Sequence, residues 1–517
     1  MSSKTTRIKT EIAILGSGFA GSVLALLLNQ IGRKAIIIDK TTHPRFAIGE
    51  SSTPIGNMIL GALADRYDLP ALKPLATYGT WRDTYPHLTN GRKRGFSYFQ
   101  HEQATPFQPN ANHTNELLVT ASTDDYRCDT HWLRADIDHF LYQQVQKAGI
   151  RVFDNTLIQN LAQTTSPASS ESGGWKIQAR NNDTILSVDA DFVIDATGHA
   201  GLVARHLELP DITNELHTHS HAIFSHFVDL PSWHDVSSAL GAHTTDHPYH
   251  CDDAAVHHCI DHGWMWMLRF VDGRVSAGFA LDCDKYRPNY SVKPEDGWQS
   301  LISQHPTLEA LFSEAKIAEV PGKLYRTGRL QRLWGQAAGK NWALLPHTAG
   351  FIDPLHSTGI AHSLSGIEQL IQIIEKHWQT DQFAVALDQY SQKLIRELKF
   401  IDLLVAGCYP CFGNFELLTA YTMLYFSAAI TYEERRMDAL KAGTPFNHDF
   451  LCVDEKPLSD AVHVLYHKLK QITEATPSQT DINSFREAVK SHIAPYNTAG
   501  LFAPRINNMY EYTAADF

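Results

Sequence analysis

Residues 11–39 carry the feature that most constrains the fold: a glycine triplet set between two apolar strands. EIAIL (residues 11–15) reads as a buried parallel strand, and GSGFAG (residues 16–21) follows it directly. The apolar run that ends at Gly32 reads as a helix stopped by a glycine. AIIID (residues 35–39) is a second buried strand with an acid at its end. Strand, glycine turn, helix and strand in this order form a dinucleotide-binding unit. Gly16 permits a tight turn, Gly18 lets backbone approach a pyrophosphate, and Gly21 allows close helix–strand packing. Phe19 and Ala20 open the helix, whose unpaired N–H groups suit phosphate. Asp39, followed by Lys40, is placed to accept hydrogen bonds from a ribose. The bland alternative is a glycine-rich turn in an empty Rossmann-like fold.

The rest of the chain narrows the class. In 517 residues, 44 Lys and Arg stand against 56 Asp and Glu, a formal charge of −12. That balance opposes nucleic-acid binding, which wants a basic face. Seven cysteines without a repeated CxxC pair indicate neither a disulfide framework nor a structural zinc site. No apolar run is long enough to span a bilayer, and the first residues lack a signal-peptide core, so a reducing cytoplasmic setting is expected. Residues 132–149 read as a helix with a glycine stop, and residues 184–198 as strands ending at VIDATG. Residues 217–263 look His-rich and irregular, WMWMLRF and VSAGFAL read as a hairpin, and the chain beyond about 383 looks helical. The polar tract of residues 164–174 reads as a surface loop.

FAD fits better than NAD. A second glycine-bearing strand end, with Ala196, Thr197 and Gly198, lies far downstream of the first unit. A third segment, AGFIDPLHSTGI (residues 349–360), sets Asp353 and a glycine turn before a helix. Such a helix start suits the ring end of a long cofactor. Only one Rossmann fingerprint is present, with no second motif for a nicotinamide nucleotide.

These segments resemble the flavin-dependent halogenases, in particular bacterial pyrrole- and phenol-type members. The resemblance runs nearly end to end: GSGFAGSVLALLL, HPRFAIGESSTP (residues 43–54), ADRYDLP, GRKRGFSYFQH (residues 91–101), GFIDPLHSTGI and CYPCFGNFELLTAY (residues 408–421). It implies a Rossmann-like FAD-binding α/β fold of the glutathione-reductase or hydroxylase type. In this reading residues 1–380 form the body, with interleaved substrate-sheet segments at about 75–130 and 210–330, and residues 381–517 a helical covering region. Further implied cofactor contacts are Ile48, Gly49, Glu50, Ser51, Arg134, Ala196, Thr197, Gly198, Asp353, Gly359 and Ile360.

The resemblance also implies the chemistry. Reduced FAD and O₂ would oxidise chloride or bromide, held by Ser357, Thr358 and Gly359, to hypohalous acid. The oxidant would pass Trp264 and Trp266 to Lys93, which forms a haloamine or hydrogen-bonds it beside an electron-rich ring. A separate NAD(P)H-dependent flavin reductase would supply FADH₂, and the small aromatic substrate would be free or tethered to a carrier protein. The family's Trp-x-Trp-x-Ile-Pro signature is only partly matched, because Leu268 and Arg269 replace Ile and Pro.

Each of these residues has an ordinary reading as well. Lys93 as a lone lysine would be solvated, although strand alternation puts Arg92 and Arg94 on one face and Lys93 on the other. Trp264 and Trp266 would be period-two strand aromatics. Ser357 or Thr358 would simply cap a helix. The HTHSH run (residues 217–221) and the scattered histidines after it have no acid at complementary spacing, so no metal is assigned. Cys408 and Cys411 read as helix packing. The rival functions are an aromatic hydroxylase with no need of the lysine, a flavin-dependent reductase of isoprenoid double bonds, and a degenerate FAD-binding homologue.

Overall fold

The computed structural model describes residues 4–164, 173–182 and 184–512. Two sheets organise them. The first carries β1 (Lys4–Leu15), β2 (Ala35–Ile38) and later strands. The second carries β4 (Gly95–Gln100) and β5 (Glu116–Thr120). The short pair β3 (Asn90–Lys93) and β6 (Asp129–Trp132) flanks β4 and β5 in sequence.

β1 is longer than the apolar core at residues 11–15 suggests. Its alternating N-terminal half pairs in parallel with β10 (Thr184–Asp195), from Lys4 opposite Thr184 to Leu15 opposite Asp195. On its other side β1 pairs with β2, which pairs with β7 (Arg151–Phe153). The helix Phe19–Gln30 connects β1 to β2, and Gly32 ends it with φ +75. Ile12, Ala13, Ile14 and Leu15 are wholly buried, as a parallel strand covered on both faces requires. The helix at residues 132–149 is shorter than its periodicity suggests. It spans Arg134–Lys147, because Trp132 belongs to β6.

β8 (Leu157–Gln163) and β9 (Trp175–Asn181) are antiparallel. The polar tract joining them lies outside the described residues between 165 and 172. Its ends close on each other, Thr164 N donating to Gly174 O at 2.8 Å.

The reading of residues 217–263 as irregular is corrected. They contain β11 (Ser220–Val228) and β12 (Ala255–Ile260), every residue of which is buried except Val228. Histidines on these strands mask the apolar pattern, and their rings find partners inside the protein: His226 meets Glu50, His258 meets His101, and two others meet backbone carbonyls. His221 faces Tyr286 O at 3.0 Å and His257 faces Leu355 O at 2.9 Å. β13 (Gly263–Arg269) and β14 (Val275–Asp282) form the expected hairpin. The second sheet runs from β11 through β14, β13, β12 and β4 to β5.

The C-terminal part is mainly helical, with Asp381–Ala406, Phe415–Ala442, Lys456–Thr473 and Gln479–Ile493. It is not wholly so. Met509–Tyr510 returns to pair in parallel with β5. No helix among the described residues is long and apolar enough to cross a membrane.

Candidate active site

A cavity of about 1050 Å³ joins the ends of β1, β2 and β10 to the face of β12 and β13. Every cofactor- and halide-binding candidate lines it except Gly21, and Trp264 and Trp266 line it too.

The glycines divide into two kinds. A Cβ on Gly16, which has φ +106, would sit 2.6 Å from Ala196 O, and one on Gly21 would sit 2.2 Å from Gly16 O. These two let the turn and helix close on the sheet. A Cβ on Gly18 meets nothing nearer than 3.7 Å, and one on Gly359 nothing within 4 Å. Gly18 and Gly359 therefore present bare backbone to the cavity. The helix behind Gly18 has no side-chain cap, which leaves first-turn N–H groups for an anion.

Asp39, the expected ribose acceptor, is already heavily engaged. Its carboxylate already accepts from Ser17 N and Oγ, Thr41 N and Oγ1, and both terminal nitrogens of Arg45. Hydrogen bonds and charge from Arg45, with the backbone N–H groups, overcome burial and hold its acidity well above that of an ordinary carboxyl group. A ribose hydroxyl here must share Asp39 with Arg45. Lys40 lies exposed at the cavity edge. Arg134 pairs with both oxygens of Asp138 at 2.8 Å and donates to the carbonyls of Ile48 and Gly49, fixing the turn before Glu50. Glu50 meets His226 Nε2 at 2.9 Å, and Ser51 bridges to His131. Thr197 folds back on Asp195, and Gly198 N donates to Thr348 Oγ1 at 3.0 Å.

Ser357 occupies the N-cap position of the helix Thr358–His377 with φ +52, uncommon for a residue with a Cβ. Its side chain does not cap the helix. The amides of Thr358, Gly359 and Ile360, in the first turn, have no intrahelical acceptor. The turn thus has the chemistry of an anion site, and the simple capping alternative does not describe Ser357. Just before it, Asp353 accepts from Ser220 Oγ at 2.8 Å, Tyr409 OH at 2.7 Å and Leu355 N at 3.1 Å. Burial pushes its carboxyl up to about 6, against the pull of those bonds.

At the far end, Trp264 and Trp266 share a face of β13 with ring centroids 5.9 Å apart. His257, a residue that sequence reasoning missed, stacks between Tyr98 at 4.3 Å and Trp264 at 4.9 Å. Its link to Leu355 O ties the indole face to the Asp353 segment. Arg269, in the position of the signature proline, donates to the carbonyls of Leu230 and Pro231 at 3.2 and 2.7 Å, anchoring the end of β13.

Lys93 is wholly buried. Arg92 and Arg94 turn the other way to surface carboxylates, Asp125 for both and Asp253 for Arg92. Lys93 Nζ donates to Ser52 O and lies 4.2 Å from the centre of the Phe96 ring. It does not itself line the cavity. The lining residues Ser51, Ala255 and His257 stand next to it: Ser51 precedes Ser52, and Ala255 pairs with Phe96. Asp129 is its cross-strand partner, yet among the described residues no carboxylate comes within ion-pair distance of Nζ. Burial brings the Lys93 amine down to about 8, although Asp129 opposes that shift.

The other candidate clusters disperse. His217, His219 and His221 go to different partners. Cys408 and Cys411 each bond a carbonyl four residues back, as packed helical thiols do.

An uncapped glycine turn, a second uncapped helix start and a long cavity leading to paired indoles fit an oxidoreductase that binds a dinucleotide such as FAD. The chain belongs to the tryptophan halogenase family, whose model matches residues 126–410, more than half of its length. It is 25% identical over 458 residues to the tetracycline 7-halogenase of Kitasatospora aureofaciens, covering 86% of this chain and 78% of that one. It is 26% identical over 439 residues to the monodechloroaminopyrrolnitrin halogenase PrnC of Pseudomonas fluorescens, covering 83% and 73%. A solved structure of halogenase PltM in complex with phloroglucinol and FAD has the same fold, with a TM-score of 0.85 at 23% identity over 98% of this chain and 100% of that one. The protein is a flavin-dependent halogenase that uses FAD and halide; the family assignment decides against the hydroxylase reading.

Proposed function

We propose that this halogenase acts on an electron-rich ring of phenol or pyrrole type, and that Lys93 directs the halogen to it. The observation that carries the reading is Lys93 itself: a buried amine, unpaired by any carboxylate among the described residues, directly behind the cavity wall. The ring class is supported by the relatives, a tetracycline and an aminopyrrolnitrin halogenase, and by the phloroglucinol held in the PltM structure.

Gly16, Gly18 and Gly21 shape the cradle, and the helix start at Phe19 and Ala20 faces the pyrophosphate. Asp39 with Lys40 meets the sugar end, and Arg134 holds the turn of Ile48, Gly49, Glu50 and Ser51 against the cofactor. Ala196, Thr197, Gly198, Asp353 and Ile360 line the flavin end. Bound reduced FAD, with O₂, supplies the two-electron oxidation that turns halide into hypohalous acid. The turn of Ser357, Thr358 and Gly359 holds the halide by backbone N–H groups. Trp264 and Trp266 wall the cavity with indole faces, keeping the ring substrate apart from the flavin and water out of the passage. Lys93 takes up the oxidant as a haloamine or by hydrogen bond. The ring then exchanges its proton for halogen, and water leaves.

A separate NAD(P)H-dependent reductase supplies the FADH₂, since a single dinucleotide fingerprint is present. That dependence on reduced flavin favours a cytoplasmic location. The proposed division is an FAD-binding body up to about residue 380 and a helical cover beyond it.

The test is mass spectrometry of reactions containing the purified chain, a flavin reductase, NADH, bromide and a panel of phenols, pyrroles and unactivated benzenes. Expected is gain of one bromine by activated rings only. Bromination of none of the phenols or pyrroles would overturn the substrate class.

A further inference from the structure

A second polar cluster lies away from the flavin cavity. Glu116 on β5 is completely buried, and each of its oxygens is taken by a histidine. Oε1 meets His113 Nδ1 at 2.9 Å and Oε2 meets His247 Nε2 at 3.1 Å, while His113 Nε2 reaches Asp246 at 3.1 Å. Those bonds satisfy that side of the cluster.

The other side of the His247 ring differs. Its Nδ1 is buried without a hydrogen-bond partner, and so is Nδ1 of His234. The His247 side chain is 1% exposed. The buried thiol of Cys251 completes the group, its polar neighbours being the Asp252 carboxylate at 3.8 Å and nearby backbone. Ligand atoms of His234, His247 and Cys251 all lie within 4.8 Å of one another. Tetrahedral zinc, with nitrogen at about 2.0–2.1 Å and thiolate at about 2.3 Å, sets its donors about 3.3–3.6 Å apart. From the 4.8 Å limit, side-chain rotation that brings the donors about an ångström closer closes the triad.

We propose that His234, His247 and Cys251 bind one zinc ion. Glu116, accepting from Nε2–H of His247, leaves Nδ1 as the basic nitrogen and orients the ring toward the metal, the carboxylate–histidine–zinc arrangement. On binding, the thiol proton passes to solvent and both imidazoles coordinate as neutral bases. The fourth position falls to a water or another oxygen donor.

The site has a structural consequence. The loop bearing His247 and Cys251 is fastened to the strand that follows Lys93. Tyr249 OH donates to Phe96 O at 2.8 Å, Ser97 Oγ to Cys251 O at 3.0 Å, and Arg94 N to Asp253 O at 2.6 Å. Zinc locks that loop to β4 without touching the reaction chamber.

The experiment uses full-length, tag-free chain, stripped with a chelator, reloaded with zinc sulfate and measured by elemental mass spectrometry after gel filtration. Expected is one zinc per chain, a melting temperature raised by several degrees, and one sulfur near 2.3 Å by X-ray absorption. His234→Ala and Cys251→Ser should each lower retained zinc at least tenfold, while the exposed His463→Ala retains it. His234 lies on the half-exposed helix Trp233–Ala239, so far-UV circular dichroism and flavin binding of His234→Ala should be unchanged. Retention below a tenth of a zinc per chain, or equal retention in wild type, His234→Ala and Cys251→Ser, overturns the site.

Discussion

Lys93 and Asp129 face each other directly across β3 and β6, both wholly buried, without forming an ion pair. Burial disfavours the charge on each. It takes the Lys93 amine down to about 8 and the Asp129 carboxyl up to about 7, and their mutual attraction only softens both shifts. Asp129 Oδ1 is held by Asn57 Nδ2 at 2.7 Å, so the carboxylate is fixed in place.

Asp129→Asn removes the charge that supports the Lys93 ammonium and keeps an oxygen for Asn57. The limb of the bromination pH profile that tracks Lys93 should move from about pH 8 to lower pH, by roughly one unit. A rate that rises along that limb marks the free amine, as haloamine chemistry needs. A rate that falls marks an ammonium acting as hydrogen-bond donor. A profile of kcat/KM from pH 6 to 10 checks this, and an unmoved limb counts against Lys93.

The same burial appears in stability. Lys93 titrates near 8 in the folded chain against an ordinary 10.5. Between those values the unfolded chain binds more protons, so the contribution of Lys93 to stability rises with pH from about 8 to 10.5. Asp129 titrates near 7 against 3.8, so its contribution falls as pH rises from about 4 to 7. Lys93→Met should therefore gain most over wild type in melting temperature at and below about pH 8, with the gain shrinking toward pH 10. A difference independent of pH contradicts the buried-ammonium assignment.

Gly359 faces open space at the start of its helix. Gly359→Ala should leave the melting temperature unchanged or slightly raised, since alanine suits a helix better by up to about 1 kcal/mol. Its methyl group intrudes where halide is proposed to sit, so the KM for bromide should rise about tenfold, the scale of roughly 1.4 kcal/mol. Bromide-dependent rates and thermal melts separate the two effects.

Gly18 and Gly21 belong to one motif yet should fail differently. Gly18→Ala has room and should fold, with FAD affinity reduced by about tenfold or more as the methyl meets the pyrophosphate. Gly21→Ala collides with the Gly16 carbonyl and should lose stability outright. Flavin fluorescence titration and circular dichroism distinguish them.

Much of this site is legible from residues near one another in sequence. The glycine spacing, the strand alternation around Lys93 and the turn at residues 357–359 all depend on local geometry. What stays hidden depends on closure between distant segments. Asp129 meets Lys93 only because β3 and β6 pair, and His257 enters the cavity only because β12 lies beside β4 and β13. The histidines of β11 and β12 look polar and suggest irregular chain, because a sequence does not show that carbonyls, Glu50 and His101 will meet their rings. Asp39 looks free in sequence, yet Arg45 from the next loop already holds it.

The most direct test compares wild type with Lys93→Met, both loaded with reduced FAD and given bromide, O₂ and an activated phenol. Brominated phenol and a soluble trap for hypobromous acid are measured in the same reaction. Expected is a loss of ring bromination of at least about a hundredfold, within the ~10²–10⁴-fold range for a positioned catalytic group, while trapped oxidant persists. Bromination within about twofold of wild type would show that the halogen reaches the ring without Lys93.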